Sequence, residues 1–202
     1  MKTINDIRTL ESIYKPAVPT SLTKVASVIT PLYEQWIKAS RFVILSSVSK
    51  DGTDASPRGD DNAVVSIVDN KTLLLPDWKG NNRLDSLRNI VEDGRASLLF
   101  MIPDCENVVR INGSAALTAD TEMREMFVKN DILPATVIVF TVGEIYFQCA
   151  KAIKRSRLWK GEGESADLAV PSAGDFLKEA DQQFDGTTYD AEYDQRSKAR
   201  MW

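Results

Sequence analysis

Three short segments gather the residue types that could do chemistry. The first is Ser56-Pro57-Arg58-Gly59-Asp60, an arginine flanked by proline and glycine in a strand-rich stretch. A bulge or turn with a surface arginine explains it as readily as a ligand contact does. The second is Pro76-Asp77-Trp78-Lys79-Gly80-Asn81-Asn82-Arg83, which leads into a helix. Free backbone N–H groups at a helix start favour an anion, and Lys79 and Arg83 would add charge-assisted donors. Ordinary capping by Asn82 fits the same residues. The third runs from Gln148 to Trp159, and Lys151 to Lys160 holds five cations and no acid. Such a run is read either as a solvated face or as an anion site. Trp159 either covers a ring or plugs the core, and for a lone tryptophan the core reading is favoured.

The composition removes whole classes of mechanism. The 202 residues include no histidine, which excludes serine–histidine triads, imidazole bases and histidine-held zinc or haem. Cys105 and Cys149 have no CxxC spacing, so no metal site and no dithiol site is expected. Two cysteines make no disulfide framework, and a reduced cytoplasmic setting is the expectation. No apolar run approaches a membrane span, and the N-terminal residues do not read as a signal peptide. Residues 1–160 hold 21 Lys and Arg against 19 Asp and Glu, while residues 161–202 hold 4 against 10. The body is therefore close to neutral and the C-terminal part acidic. Nucleic acid is not an expected partner, because no strongly basic face or binding motif is present.

These segments need elements to position them, and periodicity divides the chain in three. Residues 1–40 read as helical, with Leu22, Val25, Ala26 and Ile29 on one stripe and a second helix started by Thr30-Pro31. Residues 41–160 change to strand patterns at Arg41–Val48, Thr53–Ser56, Ala63–Val68, Thr72–Leu75, Arg95–Ile102, Val108–Leu117 and Thr136–Ala150. Lys50-Asp51-Gly52 signals a hairpin, and Gly113 a bulge. Helices are expected at Asn81–Val91, capped by Asn82, and from Asp120 through Lys129, with Met123, Met126 and Phe127 inward. A short helix or turn should follow at Ile153–Trp159. Residues 161–202 read as an acidic tail with two weak helices, near Ala173–Gln182 and Thr188–Arg200, and with apolar points that include Phe176, Tyr193 and Trp202. Strands joined by tight turns imply an antiparallel sheet or barrel, mainly β with flanking helices.

Several blocks resemble a known family. Ser56-Pro57-Arg58-Gly59-Asp60, Leu74-Leu75-Pro76-Asp77, and Gly80 through Ile90 (GNNRLDSLRNI) are similar to the pyridoxamine 5′-phosphate oxidase-related flavoproteins of the FMN-binding split-barrel superfamily. Leu98–Pro103, Arg110–Ala115, Cys149–Ala152 and Arg155–Trp159 fit the same pattern in the same order. The resemblance runs from about Arg41 to Trp159 and implies a six-stranded antiparallel split β-barrel, a homodimer, and FMN in clefts between subunits. By the family pattern Ser56 and Arg58 lie along the flavin. Lys79, Asn82 and Arg83 lie near its phosphate or ribityl chain, and Arg155 and Trp159 close the cleft, from a subunit left open.

Two departures from the family limit the reaction. Many relatives carry a histidine before the cysteine of the last strand, where this chain has Gln148. The vitamin B6 oxidases proper use an Arg-x-His pair near the C-terminus, and this chain has none. The resemblance thus implies an FMN-dependent oxidoreductase acting on an unidentified small molecule, but not a pyridoxamine 5′-phosphate oxidase. The alternative is a non-catalytic flavin-binding or flavin-sensing protein. A split barrel without cofactor fits less well, given Arg58, Lys79 and Arg83.

Overall fold

A computed structural model describes residues 1–159 and 170–198. Its elements in chain order are α1 (Ile7–Ile13), α2 (Pro19–Thr23), α3 (Pro31–Ala39), β1 (Phe42–Ser49), β2 (Gly52–Gly59), β3 (Ser66–Ile67), β4 (Thr72–Asp77), α4 (Asp85–Glu92), β5 (Arg95–Met101), β6 (Val108–Thr118), α5 (Thr121–Glu125), β7 (Thr136–Gln148), α6 (Lys151–Ser156), α7 (Ala173–Ala180), α8 (Gly186–Ala191) and α9 (Tyr193–Lys198). The strands form one antiparallel sheet of seven, in the order β2-β1-β5-β6-β7-β4-β3. The expected six-stranded barrel is therefore observed as a seven-stranded sheet. Among the described residues no ladder joins its two end strands.

The sheet is nevertheless curled. Arg58 on β2, the first strand in the sheet order, forms an ion pair with Asp77 at the end of β4, the sixth. Two strands so far apart in the order can touch only if the sheet rolls over. Inside the roll, Val43, Leu45, Leu98, Phe100, Ile111, Ile138, Phe140 and Ile145 are wholly buried, and α4 adds Leu87 and Ile90. Strand alternation leaves Ile44, Val48, Leu99 and Met101 half-buried on the other face.

Two glycines set the geometry of the β6–β7 pair. The register steps from Asn112↔Glu144 to Gly113↔Val142, so Gly143 is the extra residue of a bulge opposite Gly113. A Cβ on Gly113 would sit 2.0 Å from the Thr141 carbonyl oxygen, which only glycine avoids. The β1–β2 hairpin also follows the sequence reading. Ser49 pairs with Gly52 across a Lys50-Asp51 loop, and Gly52 takes φ +140°.

Several sequence expectations are corrected. The stripe Leu22, Val25, Ala26 and Ile29 is not one helix. The helix stops at Thr23, Leu22 is exposed, and Ala26 bridges Ile145 through N–H···O bonds of 2.9 and 2.8 Å. The cause is an open edge. The β4 ladder with β7 ends at Thr72↔Thr141, and Ala26 pairs with β7 beyond it. Strand β2 runs through Pro57, Arg58 and Gly59 without a register shift, so the segment is neither bulge nor turn. Pro57 is tolerated because β2 is an edge strand. The strand expected over Ala63–Val68 shrinks to Ser66–Ile67, and α5 ends at Glu125 with Met126 exposed rather than inward.

Among its described residues the acidic segment forms three short helices where two are expected. Ser172 and Asp175 make a capping box on α7, Asp185 caps α8, and Asp190 accepts from Gly174 N–H at 2.8 Å. The expected boundary at 160/161, together with Lys160, Arg200 and Trp202, lies outside the described residues. Among the described residues no helix is long and apolar enough to cross a membrane.

Candidate functional site

The cleft follows from how β2 and β4 end. Strand β2 is an edge strand whose alternate residues, Asp54, Ser56 and Arg58, lie on the inner face beside buried Val43 and Leu45. Strand β4 is apolar through Leu73-Leu74-Leu75 and then delivers a buried acid, Asp77, to the same place. From there the chain runs as a loop to α4. Between these walls lies a cleft of ≈ 1280 Å³, lined by residues 54–61, by 75–88, and by Leu117, Ala135 and Thr136 among others. Single small-molecule sites commonly occupy about 300–1,000 Å³, so this cleft has room for a cofactor and a small reactant together.

The structure gathers Ser56, Arg58, Lys79, Asn82 and Arg83 in this one cleft. Arg58 is recessed, with a side chain only 21% exposed, and its Nη1 donates to Asp77 Oδ1. Its Nε is buried with no hydrogen-bond partner, as is the Thr136 hydroxyl directly across the β4–β7 ladder from Asp77. An unmet buried polar group costs about 1–3 kcal/mol, and both atoms are closed off from the open cleft in this conformation. Lys79 and Arg83 stand at the exposed rim. Arg83 Nε donates to Asp85 Oδ2 at 2.9 Å, and its main-chain N–H to Asn81 Oδ1 at 3.1 Å.

Asn82 does not cap α4. The cap position is Leu84, with φ +62° and no side-chain bond, and Asn82 itself has φ +60°. Two left-handed residues in one turn lay the loop along the cleft before the helix starts. No side chain caps the start of α4, and Asp85 in its first turn places a negative charge there that offsets the helix dipole.

Arg155 and Trp159 are not among the residues lining this cleft. Trp159 Nε1 donates to the Cys105 carbonyl at 2.7 Å, which ties the segment after β7 to the turn before β6. Arg155 Nε donates to the Lys151 carbonyl one helical turn back, at 3.2 Å.

Sequence reasoning passed over several residues that build the site. Asp77 enters the sequence patterns only as part of a motif, although an acid closing an apolar strand is itself a signal. Lys129 drew no attention. Its Nζ lies 2.6 Å from Asp60 Oδ1 and 5.7 Å from the Trp78 ring centre, so it braces the far end of β2. Ser86 on α4 donates to Asp54, which ties the helix to β2. Among the described residues, no group of three or more potential ligands could hold a metal ion.

The comparisons with known proteins show the family. The pyridoxamine 5′-phosphate oxidase family profile matches residues 29–149, more than half of the chain. The chain belongs to the pyridoxamine 5′-phosphate oxidase family. No curated protein matches it. Among solved structures, HupZ of Group A Streptococcus is 16% identical, with 58% of this chain and 91% of that chain covered at a TM-score of 0.48. General Stress Protein 26 of Bacillus anthracis is 15% identical over 56% of this chain and 88% of that one, with a TM-score of 0.42. An F420 reductase is 14% identical over 59% and 98%, with a TM-score of 0.42.

Proposed function

We propose that this family member binds FMN in the cleft between β2 and the 78–84 loop and acts as an oxidoreductase on a small molecule. The observation that carries the reading is the recessed Arg58 guanidinium in a cleft whose rim carries Lys79 and Arg83. Those donors suit a cofactor with a polar ring edge at one end and a phosphate at the other. When bound, flavin supplies hydride or single-electron chemistry, and the protein binds, orients and tunes it. Here Arg58 would favour negative charge on the ring, Ser56 would lie along it, and Lys79, Asn82 and Arg83 would hold the phosphate or ribityl chain. Purified protein should be yellow, and rapid reduction of its flavin by NADH, NADPH or a reduced deazaflavin tests for an enzyme. A flavin that none of these reduces would favour the non-catalytic, flavin-sensing alternative.

Two further readings belong with this one. The active form is a homodimer. The half-buried outer row Ile44, Val48, Leu99 and Met101, with exposed Phe42 beside it, supports this. A light-scattering mass of twice the chain is expected, and a flavin-loaded monomer would exclude the shared cleft. Pyridoxamine 5′-phosphate is not the expected substrate, because the chain lacks the Arg-x-His pair of the vitamin B6 oxidases, although Arg155, Arg157 and Lys160 remain as cations for a phosphate. Turnover to pyridoxal 5′-phosphate near about 1 s⁻¹, the low end of typical enzyme rates, would overturn that exclusion.

A further inference from the structure

We propose that Asp77 is a positioning residue for the flavin site: it holds the Arg58 guanidinium across the seam of the curled sheet and supplies its counter-charge. The proposal rests on the FMN reading above and names the residue that sets how strongly the cleft holds the flavin and how easily the flavin is reduced.

The main chain around Asp77 is fixed. The residue ends β4 in register with Thr136 on β7, and its carbonyl accepts the Ala135 N–H at 3.0 Å. Asp77 is 8% exposed, so its carboxylate has little water to share its charge with. Arg58 approaches from β2, at the other end of the strand order, and among the described residues Asp77 is its one hydrogen-bond acceptor. The pair therefore decides where the guanidinium sits. Without Asp77, Arg58 would be a poorly solvated cation on an edge strand, free to swing toward solvent.

The same contact sets charge. A cation beside a bound flavin favours the electron-rich reduced ring. Asp77 offsets part of that field, so the bound flavin has a lower potential than Arg58 alone would give it. Strand β2 is also tied by Lys129 to Asp60 and by Ser86 to Asp54, and neutralising Asp77 leaves both contacts in place.

The test uses the full chain as wild type, Asp77→Asn and Asp77→Glu. Thermal unfolding of the flavin-free proteins checks folding. FMN dissociation constants and the midpoint potentials of bound FMN give the answer. Asp77→Asn should weaken FMN at least tenfold and raise the potential by about 30 mV or more, a tenfold change for a two-electron couple. Asp77→Glu keeps the charge but moves the carboxylate, so it should weaken FMN while leaving the potential near wild type. Wild-type affinity and potential in Asp77→Asn would overturn the proposal, as would equal potential shifts in both variants. Should Asp77→Asn not fold, Asp77→Glu decides: weaker FMN at an unchanged potential supports the role, and no change in either overturns it. A wild-type chain that binds no FMN overturns the flavin reading and this one with it, whereas a binding wild type with unaffected variants sinks this one alone.

Discussion

The two halves of the expected flavin site differ in how their side chains are committed. In the half built from β2 and the 78–84 loop, five expected residues line one cleft, with Arg58 recessed and Lys79 and Arg83 at its exposed rim. In the half after β7, Trp159 and Arg155 donate to main-chain carbonyls of their own chain. The first half presents cations to an open cleft, as a ligand site does, whereas the second has the satisfied look of structure. The difference teaches that one motif pattern can spread over residues with unlike physical duties.

The largest effect should come from the committed centre of the first half. Arg58→Ala should weaken FMN by about 1.5–3 kcal/mol, the usual worth of a hydrogen bond to a charged group, and shift the potential negative. Fluorescence titration and spectroelectrochemistry measure both, and an unchanged affinity would remove Arg58 from the site. In the second half, Trp159→Phe should cost about 1 kcal/mol of stability by losing the bond to Cys105, or about 2–4 °C in Tm, and leave FMN affinity alone. A large loss of FMN affinity there would return Trp159 to the cleft, contributed by a partner subunit.

Smaller effects separate rim from floor. Lys79→Ala and Arg83→Ala should each weaken FMN by about 0.2–1 kcal/mol, and the loss should fade in high salt because both side chains are exposed. A salt-independent loss would mean that the rim closes over the ligand. The smallest effect lies in the acidic segment. Asp175 and Asp185 are held below the ordinary carboxylate value of 3.8, chiefly by main-chain N–H bonds at their helix starts from Ser172 and Thr188. A lowered folded-state pKa means the stabilisation is present above the ordinary value and is lost as pH falls through the lowered one. Helical circular dichroism should therefore hold to about pH 4 and fall below it. A loss already complete near pH 6 would show that these caps are not what holds α7 and α8.

What the sequence displayed follows from the range of the forces involved. Strand alternation and the Lys50-Asp51-Gly52 hairpin are local patterns found where expected, whereas the bulge expected at Gly113 falls on Gly143 of the facing strand. Ala26 pairs with Ile145 because a distant strand edge lacked a partner, which no local periodicity encodes. Asn82 failed as a cap because two left-handed residues delayed the helix to Asp85, a choice made by the loop as a whole. In the site, the residue types that bear charge were visible. Their pairing was not, since Arg58 meets Asp77, and Asp60 meets Lys129, only once the sheet has curled.

The central claim is that the β2 cleft holds a flavin by its phosphate as well as its ring. Calorimetric titration of the flavin-free protein with FMN and with riboflavin, in the same buffer at low salt, tests it most directly. The account predicts saturable binding of FMN at least tenfold tighter than riboflavin, with that advantage shrinking in a Lys79→Ala, Arg83→Ala double variant. Equal affinity for the two flavins, or binding of neither, would contradict it.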